Sequence, residues 1–423
     1  MDSFLSLYSI VKDYFPFFTT LIVFFVIALR EFFGDKIKIY LVMLFGALFV
    51  IFTGSISLKD SLKAIDFDVI IFLTSIFIVG EALFESGFLY SISYRIFSKA
   101  KNLSYLFFLY IMTMGIFSYF FMNDTIAIIG TFLAIYLSKK FQLDSEPLLL
   151  TLAYSVTLGS VASPIGNPQN LVIASKIKTV TPFLPFTKYL FIPTLLNLFV
   201  LYFFITIYFK KKIDFKRKIF FEKEKYVKNR NFKISFLSVL LLIFMISLKI
   251  ILPLIFKNIK MPLFIIPIPS AILIIILNQN RKHIIKNIDY RTLIFFVSMF
   301  VLMKSLYLKG KPDFLFNFEN IKISLNFIFS SSIILSQLIS NVPFVILFLE
   351  TFKNLDQRLL MALAAGSTIA GNIFLLGAAS NIIILQTAEK KGSRLKIIDF
   401  SKLGIPLTII NVLVYLFFFY IFK

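Results

Sequence analysis

Two polar pentapeptides, Gly166-Asn167-Pro168-Gln169-Asn170 and Gly377-Ala378-Ala379-Ser380-Asn381, each interrupt an apolar segment long enough to cross a membrane. In hydrocarbon an unpaired backbone group costs several kcal/mol, so a broken helix persists only where protein covers it or where it lines a cavity. Two breaks at corresponding places in two halves of a chain point to a substrate and ion site at the membrane midplane. Hydrophobic residues make up 59% of the 423, too many for a soluble core, and a polytopic, all-α membrane protein follows. No removable leader is expected, and the absence of cysteine excludes disulfides and thiolate chemistry.

The net charge of +22 lies mainly in the short connections between apolar segments. It therefore reports topology, and no nucleic-acid partner is expected. The densest run, Lys210-Lys211-Lys212 through Lys233, is placed in the cytoplasm by the positive-inside rule. It is read as a solvated linker with some attraction to anionic lipid. The connections at Arg30–Lys38, Arg95–Lys101, Lys139–Lys140, Arg281–Arg291 and Lys390–Lys402 fall on the same side, with both termini external in the cell membrane.

The stretch Ile65-Asp66-Phe67-Asp68-Val69-Ile70-Ile71-Phe72 recurs, 223 residues later, as Ile288-Asp289-Tyr290-Arg291-Thr292-Leu293-Ile294-Phe295. Each copy is followed by an Asn-interrupted apolar segment, then a Gly/Ser/Ala-rich segment carrying the break, then a helix containing Ile192-Pro193 or Ile405-Pro406. Repeat 1 covers 1–209, the basic linker 210–233 and repeat 2 234–423. Spans are expected near 15–29, 37–53, 67–93, 146–175 and 183–209, then 233–256, 262–278, 290–308, 356–389 and 398–422. Five crossings per repeat is an odd number, so the repeats are inverted in the membrane. The surplus segments 103–140 and 321–352 are read as re-entrant hairpins, with two full crossings as the alternative. Their tips are Asn123-Asp124-Thr125, entering from the cytoplasm, and Ser340-Asn341-Val342-Pro343, entering from outside.

Two opposed tips and two broken helices aim four helix N-termini at one volume. Free N–H groups there suit an anion, and unwound carbonyls with Asn, Ser or Thr oxygens suit a dehydrated cation. The candidate substrate contacts are Asn123, Thr125, Asn167, Pro168, Asn170, Ser340, Asn341, Ser380 and Asn381. The candidate cation set is Asn123, Asp124, Gly166, Asn167, Ser340, Asn341, Asn372 and Asn381, for Na+ or H+. No cofactor and no metal beyond bound Na+ are expected. Asp124 either ligates sodium, carries a proton, or caps its helix. Glu81 and its repeat mate Lys304 either pair across the pseudo-symmetry axis, snorkel, or face a dimer interface. Among motifs, no paired intramembrane aspartate, Ser/His dyad, HExxH or nucleotide-binding glycine loop supports an enzyme.

The motifs Ser163-Pro164-Ile165-Gly166-Asn167-Pro168-Gln169-Asn170, Ser340-Asn341-Val342-Pro343, Gly371-Asn372 and Gly377-Ala378-Ala379-Ser380-Asn381 resemble those of the ion transporter superfamily. That superfamily holds the divalent-anion sodium symporters, citrate transporters, arsenite permeases of the ArsB type and sodium–proton antiporters of the NhaD type. The resemblance covers nearly the whole chain. It implies a scaffold, a mobile body of hairpins and broken helices, elevator-type alternating access and a homodimer. It also implies a small anion substrate, with one cation between the first tip and the Gly166 break and another between the second tip and the Asn372–Asn381 break. Dicarboxylate symporters carry Ser-Asn-Thr at both tips, whereas this chain has Met122-Asn123-Asp124 and Ser340-Asn341-Val342. Antiport of the NhaD kind and arsenite or antimonite efflux therefore stand as alternatives.

Overall fold

The computed structural model describes residues 14–27, 38–177, 181–221, 229–255, 261–309, 323–352, 355–393 and 395–421. Residues 1–13 and 422–423 of the termini, the connection at 28–37 and the linker residues 222–228 lie outside the described residues. In the first half the order is α1 (Tyr14–Ile27), α2 (Ile39–Phe52), α3 (Leu58–Ala64), α4 (Phe67–Glu85), α5 (Phe88–Phe97), α6 (Leu103–Phe120) and α7 (Asn123–Lys140). Then follow α8 (Ser145–Val161), α9 (Pro168–Lys176) and α10 (Phe183–Phe209). The second half runs α11 (Arg230–Ile255), α12 (Leu263–Leu277), α13 (Arg281–Asn287), α14 (Tyr290–Lys309), α15 (Leu325–Ile339), α16 (Asn341–Thr351), α17 (Gln357–Ile369), α18 (Ala379–Lys390) and α19 (Ile397–Ile421).

Six helices among the described residues are long and apolar enough to cross a membrane: α4, α6, α10, α14, the Arg230–Lys249 part of α11 and the Ile398–Ile421 part of α19. The chain is thus a multi-pass, all-helical membrane protein. The recurring Ile-Asp-aromatic signature has a local cause. Asp66 Oδ1 accepts from Val69 N–H at 3.2 Å and Asp289 Oδ1 from Thr292 N–H at 3.1 Å, so each aspartate caps the equivalent long helix of its half.

The expected single span over 67–93 is in fact two helices. Gly87 sits at φ +68°, a conformation that ends α4 and turns the chain into α5. The final helix of the first half also departs from regularity, with a wide π turn at Thr187–Phe191 just ahead of Pro193, whose missing N–H cannot continue the ladder.

Packing divides the helices into two groups. The first contains α2 to α4 and α11 to α14; the second contains α6 to α10 and α15 to α19; α5 touches both, and α4 meets α7 and α14 meets α16 across them. Contacts are reciprocal between the halves: α2 packs on α14 and α12 on α4, α7 on α18 and α16 on α9, and α10 on its counterpart α19. The described part of the linker differs from expectation. It is a docked strap, not a solvated tether, with Ile213 and Ile219 buried and main-chain hydrogen bonds to the start of α6.

Candidate functional site

Both surplus segments form helix pairs that turn at the expected asparagines. The chain reverses at Phe121-Met122 between α6 and α7, and at Ser340 between α15 and α16. Ser340 has φ +71° and ψ 157°, a region that β-carbon-bearing residues rarely occupy, so this tip holds strain. Both long segments read as broken helices do break, α8 from α9 over 162–167 and α17 from α18 over 370–378. Four helices therefore begin at Asn123, Pro168, Asn341 and Ala379.

Hydrogen bonds join three of these starts, and close packing brings in the fourth. Asn123 N–H donates to Gly166 O at 2.8 Å, tying the first tip to the first break. Asn123 Nδ2 reaches Ser380 Oγ at 3.5 Å, tying that tip to the second break. At the second tip, the Asn341 carboxamide nitrogen lies 3.3 Å from where a Cβ on Gly371 would stand. Asn167 Nδ2 donates to Thr368 Oγ1 at 3.2 Å, linking the two breaks directly. Asn123, Asp124 and Asn341 are 5%, 4% and 5% exposed, and Asn167, Asn170, Asn372, Ser380 and Asn381 are fully buried.

The two breaks differ in how they satisfy their polar groups. In the first, Asn167 caps α9 by accepting from Asn170 N–H at 2.9 Å, and its Nδ2 donates to Ser160 Oγ at 3.0 Å. Asn170 Nδ2 donates to the carbonyls of Ser160, Val161 and Ser163 at 3.1, 3.1 and 3.0 Å, and its Oδ1 accepts from Thr368 at 3.4 Å. Pro168 opens α9, where its missing donor costs nothing. The second break leaves acceptors free. Asn381 Nδ2 donates to Gly371 O at 2.8 Å, yet Asn381 Oδ1, Asn341 Oδ1 and both carboxamide atoms of Asn372 have no partner. At the first tip Asn123 Oδ1 and Asp124 Oδ2 are likewise unpartnered. A buried oxygen without a donor is costly unless a ligand completes it, so these oxygens are the candidate cation contacts of the cluster.

Not every expected residue joins. Thr125 faces α4, its Oγ1 2.9 Å from where a Gly80 Cβ would be. Ser340 is half-buried and acts through its backbone geometry. Among the described residues Glu81 and Lys304 form no ion pair: the Lys304 ammonium lies 5.1 Å from the Tyr307 ring centre, and Glu81 lies near Asn287 of α13. Beside it, His283 Nδ1 sits 3.2 Å from Glu85 Oε1, fastening α13 to α4.

Three contributors escape sequence reasoning. Thr368 stands on α17 and meets Asn167, Gln169 and Asn170 of the other half; Ser160 receives Asn167. Gln337, on α15, donates to Ala370 O at 2.8 Å and turns an unpartnered Oε1 toward Gly377. A lone Thr, Ser or Gln on an apolar helix carries no local signal, although Gln337 three residues before the Ser340 tip is a visible polar intrusion.

A family model described as citrate transporter matches residues 21–357. A 46 kDa membrane protein of Mycobacterium leprae is 23% identical over 410 residues, covering 90% of this chain and 92% of its own length. The silicon efflux transporter LSI3 of Oryza sativa subsp. japonica is 33% identical over 140 residues, 33% of this chain and 29% of that protein. The solved structure of Neisseria gonorrhoeae MtrF, described with a class of antimetabolite efflux pumps, aligns at TM-score 0.52. That alignment covers 88% of this chain and 83% of MtrF at 13% identity, a likeness of fold alone.

Proposed function

This chain belongs to the citrate transporter family, whose relatives are membrane transporters, and on that premise we propose that it moves a small inorganic or carboxylate anion by Na+- or H+-coupled symport. The single observation that carries this reading is the set of unpartnered buried oxygens on Asn123, Asp124, Asn341, Asn372 and Asn381, gathered where four helices begin. Helix N-termini offer N–H groups and partial positive charge to an anion, while the oxygens bind its coupling cation.

No lysine or arginine among the described residues is buried at the tips; Lys249, the one buried lysine, bonds Met261 O on the first helix group. The anion's charge is therefore balanced by cations and helix ends. Asp124 adds a negative charge to be neutralised, by sodium or a proton, before an anion enters. Inverted repeats in the cell membrane, a cytoplasmic linker, external termini, a homodimer and elevator motion of the second helix group against the first complete the reading. The reciprocal packing of the halves supports the first of these.

A second reading, sodium–proton antiport, is favoured by Asp124 alone, the acid buried at the first tip. The deciding experiment measures the unfolding midpoint of purified protein in NaCl and in choline chloride at equal ionic strength, across pH, for wild type and Asp124→Asn. Sodium-specific stabilisation supports a sodium-coupled site. A midpoint blind to sodium, with a pH dependence that vanishes in Asp124→Asn, replaces sodium by a proton. A midpoint indifferent to both in every variant overturns cation coupling at this cluster.

A further inference from the structure

The strap between the halves has two faces. Inward, Ile213 and Ile219 are buried, the Phe215 ring meets Phe107 edge-on at 5.3 Å, and Phe221 meets Phe141 at 5.1 Å and Tyr94 at 5.9 Å. Its main chain holds the base of the first helix pair: Leu103 N–H donates to Arg217 O at 3.1 Å, Ser104 N–H to Phe215 O at 2.9 Å, and Ile219 N–H to Lys101 O at 3.1 Å. Two of these donors belong to the first turn of α6, which has no intrahelical acceptors for them. The strap thus caps α6, and its position does not depend on its charged side chains.

Outward, Lys210, Lys211, Lys212, Lys216, Arg217 and Lys218 are exposed, and Phe220 is 84% exposed. Two acids adjoin them: Asp214 accepts from the Lys216 N–H at 3.0 Å, and Glu146 lies 3.8 Å from Lys212. The surface stays strongly positive. It begins one residue after the membrane-crossing α10 ends at Phe209, which sets it at headgroup depth. An aromatic ring beside a row of fixed cations at that depth matches an anionic lipid: phosphates meet the cations and the ring enters the acyl boundary.

We propose that the docked strap is a binding surface for anionic phospholipid headgroups, centred on Lys216, Arg217 and Lys218 with Phe220 as its interfacial anchor. Because the strap is hydrogen-bonded to α6, a lipid held there also biases the position of the first helix pair. That consequence rests on the transport reading above; the binding itself does not.

The test titrates phosphatidylglycerol into delipidated full-length protein in detergent and reads lipid retained per protomer by native mass spectrometry. Each basic residue near an anionic surface is worth about fivefold in affinity, so Lys216→Gln, Arg217→Gln and Lys218→Gln together weaken binding about a hundredfold. Phe220→Ser weakens it further, and raising NaCl weakens wild type more steeply than the triple variant, which keeps Lys210, Lys211 and Lys212. The exposed pair Lys59→Gln and Lys63→Gln on α3 leaves binding unchanged. Wild-type affinity in the triple variant overturns the proposal, as does equal displacement by inorganic phosphate, which would make this a site for the free ion. Because the readout is lipid retained, failure of the transport reading would leave the binding result unaffected.

Discussion

Gly404→Ala places one methyl group where the fold has no room for it. A Cβ built on Gly404 of α19 stands 1.9 Å from the carbonyl oxygen of Asn372 and 3.1 Å from the Tyr154 hydroxyl. The first neighbour is backbone, so α19 and the second break must separate by about 1.5 Å to restore ordinary contact; overpacking of this kind costs about 1–3 kcal/mol or more. The displaced residue is the one whose carboxamide is wholly unpartnered in the candidate cation cluster. A misplacement of about 1 Å weakens a geometry-dependent site by about a hundredfold. Sodium at about 100 times its dissociation constant stabilises wild type by about 2.7 kcal/mol; the same sodium then sits near the variant's dissociation constant and contributes about 0.4 kcal/mol. The assay is the difference in unfolding midpoint between NaCl and choline chloride. Gly46→Ala is the control, since its new methyl group first meets the side chain of Val23, not backbone, and lies on α2 of the other helix group. A Gly404→Ala protein that folds and keeps the full sodium shift would refute the placement of a cation at Asn372.

Replacing Asn381 by Ala abolishes transport while leaving folding nearly intact, which uptake into vesicles and size-exclusion profiles check together; Asn167→Ala abolishes transport too but also loses the α9 cap, at about 1–2 kcal/mol of stability. Asn170→Ala strips three buried carbonyls of their donor at once, and its stability falls by about 2 kcal/mol or more, visible as a lower midpoint in a thermal melt. Thr368→Val keeps the volume and removes the hydroxyl between the halves; a loss of about 1–2 kcal/mol is expected, and none would show that the contact is incidental. Ser340→Gly relieves the backbone at φ +71° and raises stability by about 1 kcal/mol, read as a higher midpoint, whereas a fall would mean that the serine side chain, not the turn, stabilises the tip.

Much of this architecture is legible because the membrane imposes it. Hydropathy locates the long helices, and the Gly, Asn and Pro clusters locate the breaks and tips because those residues have no cheap place in hydrocarbon. The Asp66 and Asp289 caps make the repeat visible, since two equivalent helices need the same start. What escapes is set by neighbours distant in sequence. The role of Thr368 depends on packing against a break some 200 residues earlier. Thr125 shares a tip with Asn123 but faces away from it, a difference of helical phase fixed only by packing against α4. In the linker the signal is present: Ile213, Phe215, Ile219 and Phe221 alternate with charge, as a half-buried extended segment does, but the density of lysines points toward solvent and masks it.

The bond between Asn123 and Ser380 spans 257 residues. A ribosome adding 5–20 residues per second needs roughly 13–50 s to make that stretch. Throughout that interval the first tip is already synthesised while the partner helix α18 does not yet exist. The nascent first half must therefore shelter an asparagine and an aspartate by other means, at the edge of the insertion machinery or in a hydrated groove. Mutations that enlarge the polar tip would then lower yield during synthesis before they alter the stability of the finished protein.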